Sequence, residues 1–203
     1  ATLAAHQLIL SLFFFVSPFL EVISQTAQAF LPIFYTDTSN DNDSSRKQLM
    51  EMEAQKLAKR LLRIGVIVAI GIASISSSIP AFVPQLLNND IAVQTAVRPL
   101  AKPLFLGALL TAPVAVCEGV LLARRELAYL AGVYVFSTAV FPFALFRIKY
   151  AKGPIIHVWY GFALFQLFRA ICFTGKIWGP SIISTMKNIM FGAANKKVLT
   201  ENK

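Results

Sequence analysis

The sequence predicts an all-α membrane protein with five spanning helices, and two observations support this prediction. The first is composition: 56% of the 203 residues are hydrophobic, 14% are charged and the mean hydropathy is +0.63, whereas about a quarter of the residues of soluble proteins are charged. The second is the grouping of apolar residues into five runs, each long enough for the roughly 20 helical residues that cross a bilayer. A membrane barrel would instead show segments of about ten residues that alternate apolar and polar positions.

The predicted spans are bounded by charged residues, proline or glycine, and they lie at about 3–35, 61–87, 104–122, 127–146 and 154–173. Runs such as LSLFFFV in the first span and RIGVIVAIGI in the second are apolar on all sides, as expected of helices buried in lipid or against one another. Together the spans form a predicted transmembrane lobe, residues 1–175. The chain starts directly in apolar sequence, which we expect to be a processing or fragment boundary.

The long polar connection between the first two spans, residues 36–60, is predicted to begin as a loop and to end as a helix. Its first part is rich in Ser, Asn and Asp, which is typical of loops. Ser45 and Gln48 then have the spacing of a capping box. Because the apolar residues that follow share one side of a helix, we expect this helix to lie on the membrane surface before the second span. Those apolar residues are Leu49, Met52, Leu57 and Leu61.

Lysine and arginine are distributed unequally between the two predicted sides of the membrane. Thirteen of them fall on the side of the long connection and the C-terminus, and five fall on the other side. Positive residues near span ends favour the cytoplasmic side, so we predict that residues 36–60 and the C-terminus are cytoplasmic, or stromal or matrix-facing in an organelle. This topology accounts for the net charge of +9. We expect no nucleic-acid partner, because no basic patch with stacking aromatic residues lies in a soluble region.

Residues 176–203 follow the last predicted span and are expected to form a separate segment. Residues 177–192 are too short and too interrupted to cross the membrane again, which predicts an interfacial segment with Trp178 at headgroup level. Residues 193–203 are basic, and we expect them to form a disordered tail.

A polar stripe runs along the first predicted span, where polar side chains are costly. Its members recur at helical spacing and therefore share one face: Gln7, Ser11, Ser17, Glu21, Gln25, Gln28 and Pro32. Glu21, at mid-span, is the ionisable member. The stripe fits the lining of a polar cavity, and it also fits hydrogen bonds that hold neighbouring helices together. A carboxylate adds a protonatable group that the second role does not require.

Glu118 is the second acidic residue predicted at membrane depth. It lies six residues before Arg124, which corresponds to about 9 Å of helix rise. Two interpretations stay open. Either the carboxylate pairs with, or extends toward, the arginines at the end of its span, or it takes up and releases a proton in a buried site.

Two histidines, His6 and His157, lie near predicted span ends on the side opposite the long connection. An ordinary hydrogen-bonding role is expected, and ligation of a metal or of a pigment magnesium is the weaker alternative because neither has a partner ligand at suitable spacing. Cys117 and Cys172 are expected to pack as small apolar residues rather than to form a disulfide. The sequence has no metal-ligand spacing, phosphate-binding glycine loop or nucleophile elbow, so we expect neither an enzyme nor a cofactor.

Three segments, taken in order, resemble parts of multidrug and toxic compound extrusion (MATE) transporters: TLAAHQLILSLFFFVSPFLEVISQTAQAFLP, PVAVCEGVLLARRELAYLAG and WYGFALFQLFRAICF. They are similar to the end of the seventh helix with the eighth, to the tenth helix with the turn after it, and to the twelfth helix. The variants PFLEVISQTAQAF, CEGVLLARREL and FQLFR most resemble the DinF-like branch and its plant plastid members. The resemblance covers roughly residues 1–175, and it implies that the five spans correspond to helices 8–12 of the MATE bundle.

The resemblance also implies a function. A MATE-like protein is expected to exchange a small organic solute for H⁺ or Na⁺ by alternating access. Glu21 and Glu118 are then the candidates for cation coupling. The candidates for cavity lining or solute contact are Gln7, Ser17, Gln25, Gln28, Gln166 and Arg169. The expected setting is a plastid membrane, and the expected partners are lipid, the solute and a missing N-terminal lobe, because MATE proteins have two six-helix lobes.

The chain departs from the family pattern in its long acidic connection and in having Ala123 and Arg124 where a glycine is common. The absence of a first lobe supports a second hypothesis, in which the chain is an accessory subunit that no longer transports. It would then pack against a larger membrane complex, such as a pigment–protein complex. Another membrane subunit would cover the polar face of the first span.

Overall fold

The computed structural model describes the backbone of residues 1–36 and 44–201 and the side chains of residues 1–35 and 45–179, and within these ranges it contains helices and short connections but no strand. The α-helices of the described residues are α1 (Thr2–Phe30), α2 (Pro32–Thr36), α3 (Ser44–Phe82), α4 (Ile91–Val97), α5 (Ala101–Ala123), α6 (Leu127–Tyr150) and α7 (Ile155–Glu201). Two short 3₁₀ helices, Pro84–Leu86 and Arg98–Leu100, flank α4.

Five helical stretches in the described part of the chain are long and apolar enough to cross a membrane: Thr2–Tyr35, Ser45–Phe82, Ile91–Ala123, Leu127–Tyr150 and Ile155–Gly179. This confirms the predicted all-α class and the number of spans. The correspondence of these helices to positions 8–12 of a MATE bundle stays a prediction.

Helix α5 is the central helix of the bundle. It packs against α1, α3 and α7, and its buried side chains lie on all sides of the helix rather than on one face, as its uniformly apolar sequence predicts. Gly119 allows a close approach to α1, because a Cβ at this position would lie 2.7 Å from the carbonyl oxygen of Ser24. The same packing brings Glu118, the preceding residue, to the side of the bundle where α1 lies.

Helix α3 begins earlier than the predicted second span. It is one continuous helix, so the predicted helix before residue 61 leads into the span without a break, and Ser45 lies within the first turn rather than at the N-cap. Residues 37–43 of the predicted loop lie outside the described residues. Residues 44–60 of the predicted connection are helical, as predicted for its later part.

The buried side of the first part of α3 includes half of the predicted apolar residues. Leu61 is buried in the same core cluster as Ala54 and Ala58, and Leu57 is partly buried against that cluster. Leu49 and Met52, the other two predicted residues, are exposed. The small residues Ala54 and Ala58 allow α3 to approach its neighbours closely.

The segment between α3 and α5 contains structure that the sequence analysis left unassigned. α3 ends at Phe82, before the predicted end at residue 87, because Pro84 disfavours helical backbone at the residue before it. Helix α4 follows. Asp90 caps α4, since its carboxylate accepts a hydrogen bond of 2.8 Å from the backbone amide of Ala92.

Helix α6 lies at the periphery of the bundle. Leu130 and Ser137 are its buried residues, and its main neighbour is α7. An ion pair of 2.8 Å between Lys176 and Glu126 joins α7 to the residue that precedes α6. The turn from α5 to α6 passes through Arg125 in a left-handed conformation, with φ of 58°. This is a turn position at which glycine is the common residue.

Helix α7 continues beyond the predicted end of the fifth span at residue 173. Its helical backbone extends to Glu201, so residues 177–201 continue the helix of the fifth span, and the interfacial position of 177–192 and the tail after it stay predictions. Trp178, predicted at headgroup level, is buried in the hydrophobic core. The helix continues through the Gly-Pro pair at 179–180, within the segment predicted to be interrupted.

Candidate functional site

One cavity brings together most of the predicted site residues. It has a volume of about 470 Å³ and lies between α1, α5, α6 and α7. The predicted residues that line it are Ser17, Glu21, Gln25, Gln28, Glu118, Gln166 and Arg169. The four from α1 share a face because they recur every three or four residues. Aromatic side chains complete the walls: Phe13, Phe14, Tyr134, Phe162 and Phe165.

An ion pair between α5 and α7 forms one wall of the cavity. The Arg169 guanidinium donates a hydrogen bond from Nη2 to Oε2 of Glu118 at 3.4 Å. The Arg169 side chain is 11% exposed and the Glu118 side chain is 30% exposed. The structure therefore pairs Glu118 with Arg169 rather than with the arginines at the end of its own helix. Arg124 instead donates a hydrogen bond of 3.0 Å to the hydroxyl of Tyr35.

A chain of hydrogen bonds connects the Arg169 guanidinium on α7 to α5. Arg169 Nη1 donates to Gln166 Oε1 at 3.2 Å, and Gln166 Nε2 donates to Thr111 Oγ1 at 2.9 Å. The Thr111 hydroxyl in turn donates to the Gly107 carbonyl oxygen at 2.8 Å. Gln166 is only 4% exposed, so each of its polar atoms needs a partner. The hydrogen bond between Gln166 and Thr111 therefore fixes which side of α7 faces α5.

Aromatic rings surround the rest of the Arg169 guanidinium. Its carbon Cζ lies 4.5 Å from the ring centroid of Tyr134, 5.4 Å from that of Phe165 and 5.6 Å from that of Phe173. Arg169 also donates a hydrogen bond from Nη2 to the Tyr134 hydroxyl. A cation is attracted to the face of an aromatic ring. These contacts stabilise the positive charge of Arg169 inside the helix bundle.

The α1 wall is more open than the wall formed by α5 and α7. Glu21, Gln25 and Gln28 are exposed, and Gln28 Nε2 donates a hydrogen bond of 3.2 Å to the Ser24 hydroxyl. Glu21 makes no hydrogen bond or ion pair with any residue that the structure describes. The cavity therefore contains one paired carboxylate, Glu118, and one unpaired carboxylate, Glu21.

Three predicted candidates lie elsewhere. Gln7 is exposed and lies outside the cavity. His6 packs edge-on against Trp159, with ring centroids 5.8 Å apart, and its Nδ1 is buried without a hydrogen-bond partner. His157 is exposed. No group of three or more His, Cys, Asp or Glu residues that could hold a metal ion occurs among the described residues.

Two residues that define the cavity were not predicted from the sequence. Thr111 supports Gln166, and Tyr134 contacts Arg169 from α6. Thr111 could have been predicted, because it is a polar residue inside an apolar span, and polar residues at membrane depth often belong to functional sites. Tyr134 was not distinguishable, because it lies in a run of apolar and aromatic residues in which any position fits a lipid-facing helix.

Comparison with known proteins identifies one informative relative. The chain is 25% identical over 179 residues to the Arabidopsis thaliana protein named "Protein DETOXIFICATION 47, chloroplastic". The match covers 88% of this chain but only 31% of the relative, so the chain spans about a third of that protein's length. No protein-family model matches the chain, and no solved structure matches it significantly. The similarity supports the resemblance to MATE transporters across most of the chain.

Proposed function

We propose that this chain forms the C-terminal lobe of a MATE-like secondary transporter that exchanges a small organic solute for H⁺ or Na⁺. The observation that supports this most is the cavity between membrane-long helices, which contains two carboxylates, a guanidinium, three amides and several aromatic rings. The similarity to a chloroplastic DETOXIFICATION protein supports the same proposal.

The charged residues of the cavity favour transport over a purely structural role. Each ionisable group at the centre of a bilayer costs roughly 2.5–3.5 kcal/mol on insertion scales, and such groups usually mark an ion or substrate pathway. Helix association alone could use amides and hydroxyls. Glu21 has no partner within the described residues, so it contributes no interhelical contact that would offset its cost.

The residues would have distinct roles in this transporter. Glu21 and Glu118 would bind the coupling cation. Gln25, Gln28 and Ser17 would contact the solute from α1. Gln166 and Arg169 would contact it from α7, with aromatic rings covering its apolar surface. Binding near the middle of the spans, at the interface between two lobes, is the arrangement that alternating access requires.

The open α1 wall indicates where the remainder of the transporter would lie. Glu21, Gln25 and Gln28 are exposed, and such residues do not face lipid. The N-terminal lobe, or another membrane subunit, would cover them. The protein would lie in a plastid membrane, and the charge distribution supports placing residues 36–60 and the C-terminus on the cytoplasmic or stromal side.

Substitution of Glu21 tests this function. In the complete protein reconstituted into proteoliposomes, Glu21→Gln is expected to abolish solute flux driven by a pH or Na⁺ gradient, because the amide cannot bind or release the coupling cation. Glu51→Gln is the matched control, since Glu51 is an exposed carboxylate on α3 outside the cavity. Both variants should reach the membrane in unchanged amounts. Equal flux in the two variants would remove Glu21 from the mechanism.

A further inference from the structure

Of the two carboxylates that line the cavity, Glu118 already has a cation beside it. We propose that Arg169 is a selectivity residue that excludes Na⁺ from the Glu118 carboxylate, so that this carboxylate accepts a proton instead. This inference rests on the proposed function, because it names the ion that the transporter would exchange at Glu118.

The position of the guanidinium opposes a metal ion. Hard cations bind carboxylate oxygens at close range, about 2.3–2.6 Å for Ca²⁺. The nearest guanidinium nitrogen is 3.4 Å from Glu118 Oε2, so a Na⁺ ion on this carboxylate would lie directly beside a second positive charge. The Arg169 side chain is only 11% exposed, and water and salt screen charges poorly in such a site. Electrostatic repulsion therefore disfavours Na⁺ at Glu118.

The neighbouring oxygen atoms are also engaged. A bound metal ion needs several oxygen ligands. Gln166 Oε1 accepts a hydrogen bond from Arg169 at 3.2 Å, and the Tyr134 hydroxyl accepts another. The guanidinium thus engages one oxygen acceptor on α6 and one on α7 that line the cavity with Glu118.

The other charged and titratable groups of the cavity do not change this conclusion. The groups that line the cavity with Glu118 are Glu21 from α1, Tyr134 from α6 and Arg169 from α7. No charged residue of α3 lines it within the described part of the chain. Arg169 is thus the single cationic lining residue among those described, and it is the one in contact with Glu118.

Protonation avoids the second obstacle, because a proton forms one O–H bond and needs no shell of oxygen ligands, although it too costs the ion pair with Arg169. A proton added to Glu118 forms an O–H bond and neutralises the carboxylate, and the ion pair with Arg169 then breaks. Arg169 keeps its charge together with the contacts to Gln166, Tyr134 and the aromatic rings. The guanidinium therefore remains stabilised in both protonation states of Glu118.

Equilibrium binding of ²²Na⁺ to the complete protein in lipid nanodiscs tests this inference. The quantity measured is the Glu118-dependent binding, which is the difference between a protein with Glu118 and the same protein with Glu118→Gln. The unsubstituted protein is expected to show none. Arg169→Gln should show Glu118-dependent ²²Na⁺ binding with an affinity at least about tenfold higher than the detection limit set by the unsubstituted protein. Arg169→Lys, which keeps the positive charge, should show none. Arg124→Gln is the matched control, because it removes an arginine outside the cavity and should leave binding unchanged.

Three results would overturn the inference: Glu118-dependent ²²Na⁺ binding by the unsubstituted protein, no gain in folded Arg169→Gln, or a gain that persists after Glu118→Gln. Arg169→Met provides a second neutral variant if Arg169→Gln does not fold. If neither folds, the unsubstituted protein still decides, because Glu118-dependent binding contradicts exclusion and its absence supports it. Binding needs no transport, so a protein that shows the expected binding pattern but no gradient-driven flux would refute the proposed function alone.

Discussion

Arg169 illustrates how an arginine is accommodated inside a bundle of apolar helices. Its guanidinium contacts a carboxylate on α5, a hydroxyl on α6, an amide on its own helix and three aromatic rings. Gln166 holds this arrangement to α5 through Thr111. An unpaired arginine at this depth would carry the full cost of desolvation. The contacts around Arg169 are therefore interdependent.

Replacement of Gln166 tests this interdependence. Gln166→Leu removes the acceptor for Arg169 Nη1 and the donor to Thr111, and both lost partners are in a buried region. We expect a loss of about 1–3 kcal/mol of stability, the cost of leaving a buried polar group unsatisfied, measured by thermal unfolding in detergent. Gln7→Leu is the control, because Gln7 is exposed and outside the cavity. Equal effects of the two substitutions would show that the network does not stabilise the fold.

At the scale of residues, the sequence predicted the α1 stripe but not the partner of Glu118. The stripe is local, since a three- or four-residue spacing places Ser17, Glu21, Gln25 and Gln28 on one face whatever surrounds the helix. The ion pair joins residues 51 apart in the chain, and only tertiary packing selects Arg169 over Arg124. Helical spacing also placed Gln7 in the stripe, although the cavity does not extend to it.

At the scale of helices, the contact between α1 and α5 positions the two carboxylates of the cavity. Gly119 makes this contact close, because a Cβ on it would lie 2.7 Å from the Ser24 carbonyl oxygen and 3.1 Å from the Ala27 side chain. Glu118 is adjacent to Gly119 in sequence, and Glu21 lies one turn before Ser24. A change in the spacing of these helices would therefore move one wall of the cavity against the other.

Gly119→Ala tests the role of this contact. The added methyl group meets backbone rather than a flexible side chain, so we expect overpacking to destabilise the protein by about 1–3 kcal/mol. Gly132→Ala is the matched control, since a Cβ at Gly132 on α6 meets nothing within 4 Å. That control should be neutral or stabilising by up to about 1 kcal/mol, because alanine favours helix. Identical thermal unfolding of the two variants would contradict the proposed helix contact.

The existence of the spanning helices was predictable from the sequence, but their ends were not. Long apolar runs identified all five spans, because length and hydropathy suffice for that. The continuity of α7 was missed, since the Gly-Pro pair at 179–180 indicated a break that the backbone does not show. The short helix α4 was missed because its capping residue, Asp90, starts an element of only seven residues.

At the scale of the whole molecule, the cavity is incomplete on the side of α1. The polar residues Glu21, Gln25 and Gln28 are exposed there, and we propose that a partner covers them in the membrane. The chain spans about a third of the relative that it matches, which supports a second lobe as that partner. An accessory subunit would need a different partner at the same surface. Purification of the complex from membranes would distinguish a chain that carries further transporter helices from a set of unrelated subunits.

The most direct test of the transport hypothesis is solute-dependent dissipation of a pH or Na⁺ gradient by the complete protein in proteoliposomes, with Glu118→Gln compared with Glu126→Gln. Glu118 lines the cavity, whereas Glu126 pairs with Lys176 outside it. If the cavity is the site of ion coupling, Glu118→Gln abolishes dissipation and Glu126→Gln leaves most of it. Dissipation by Glu118→Gln at the rate of the unsubstituted protein, with both variants folded, would contradict the assignment of this cavity as the transport site.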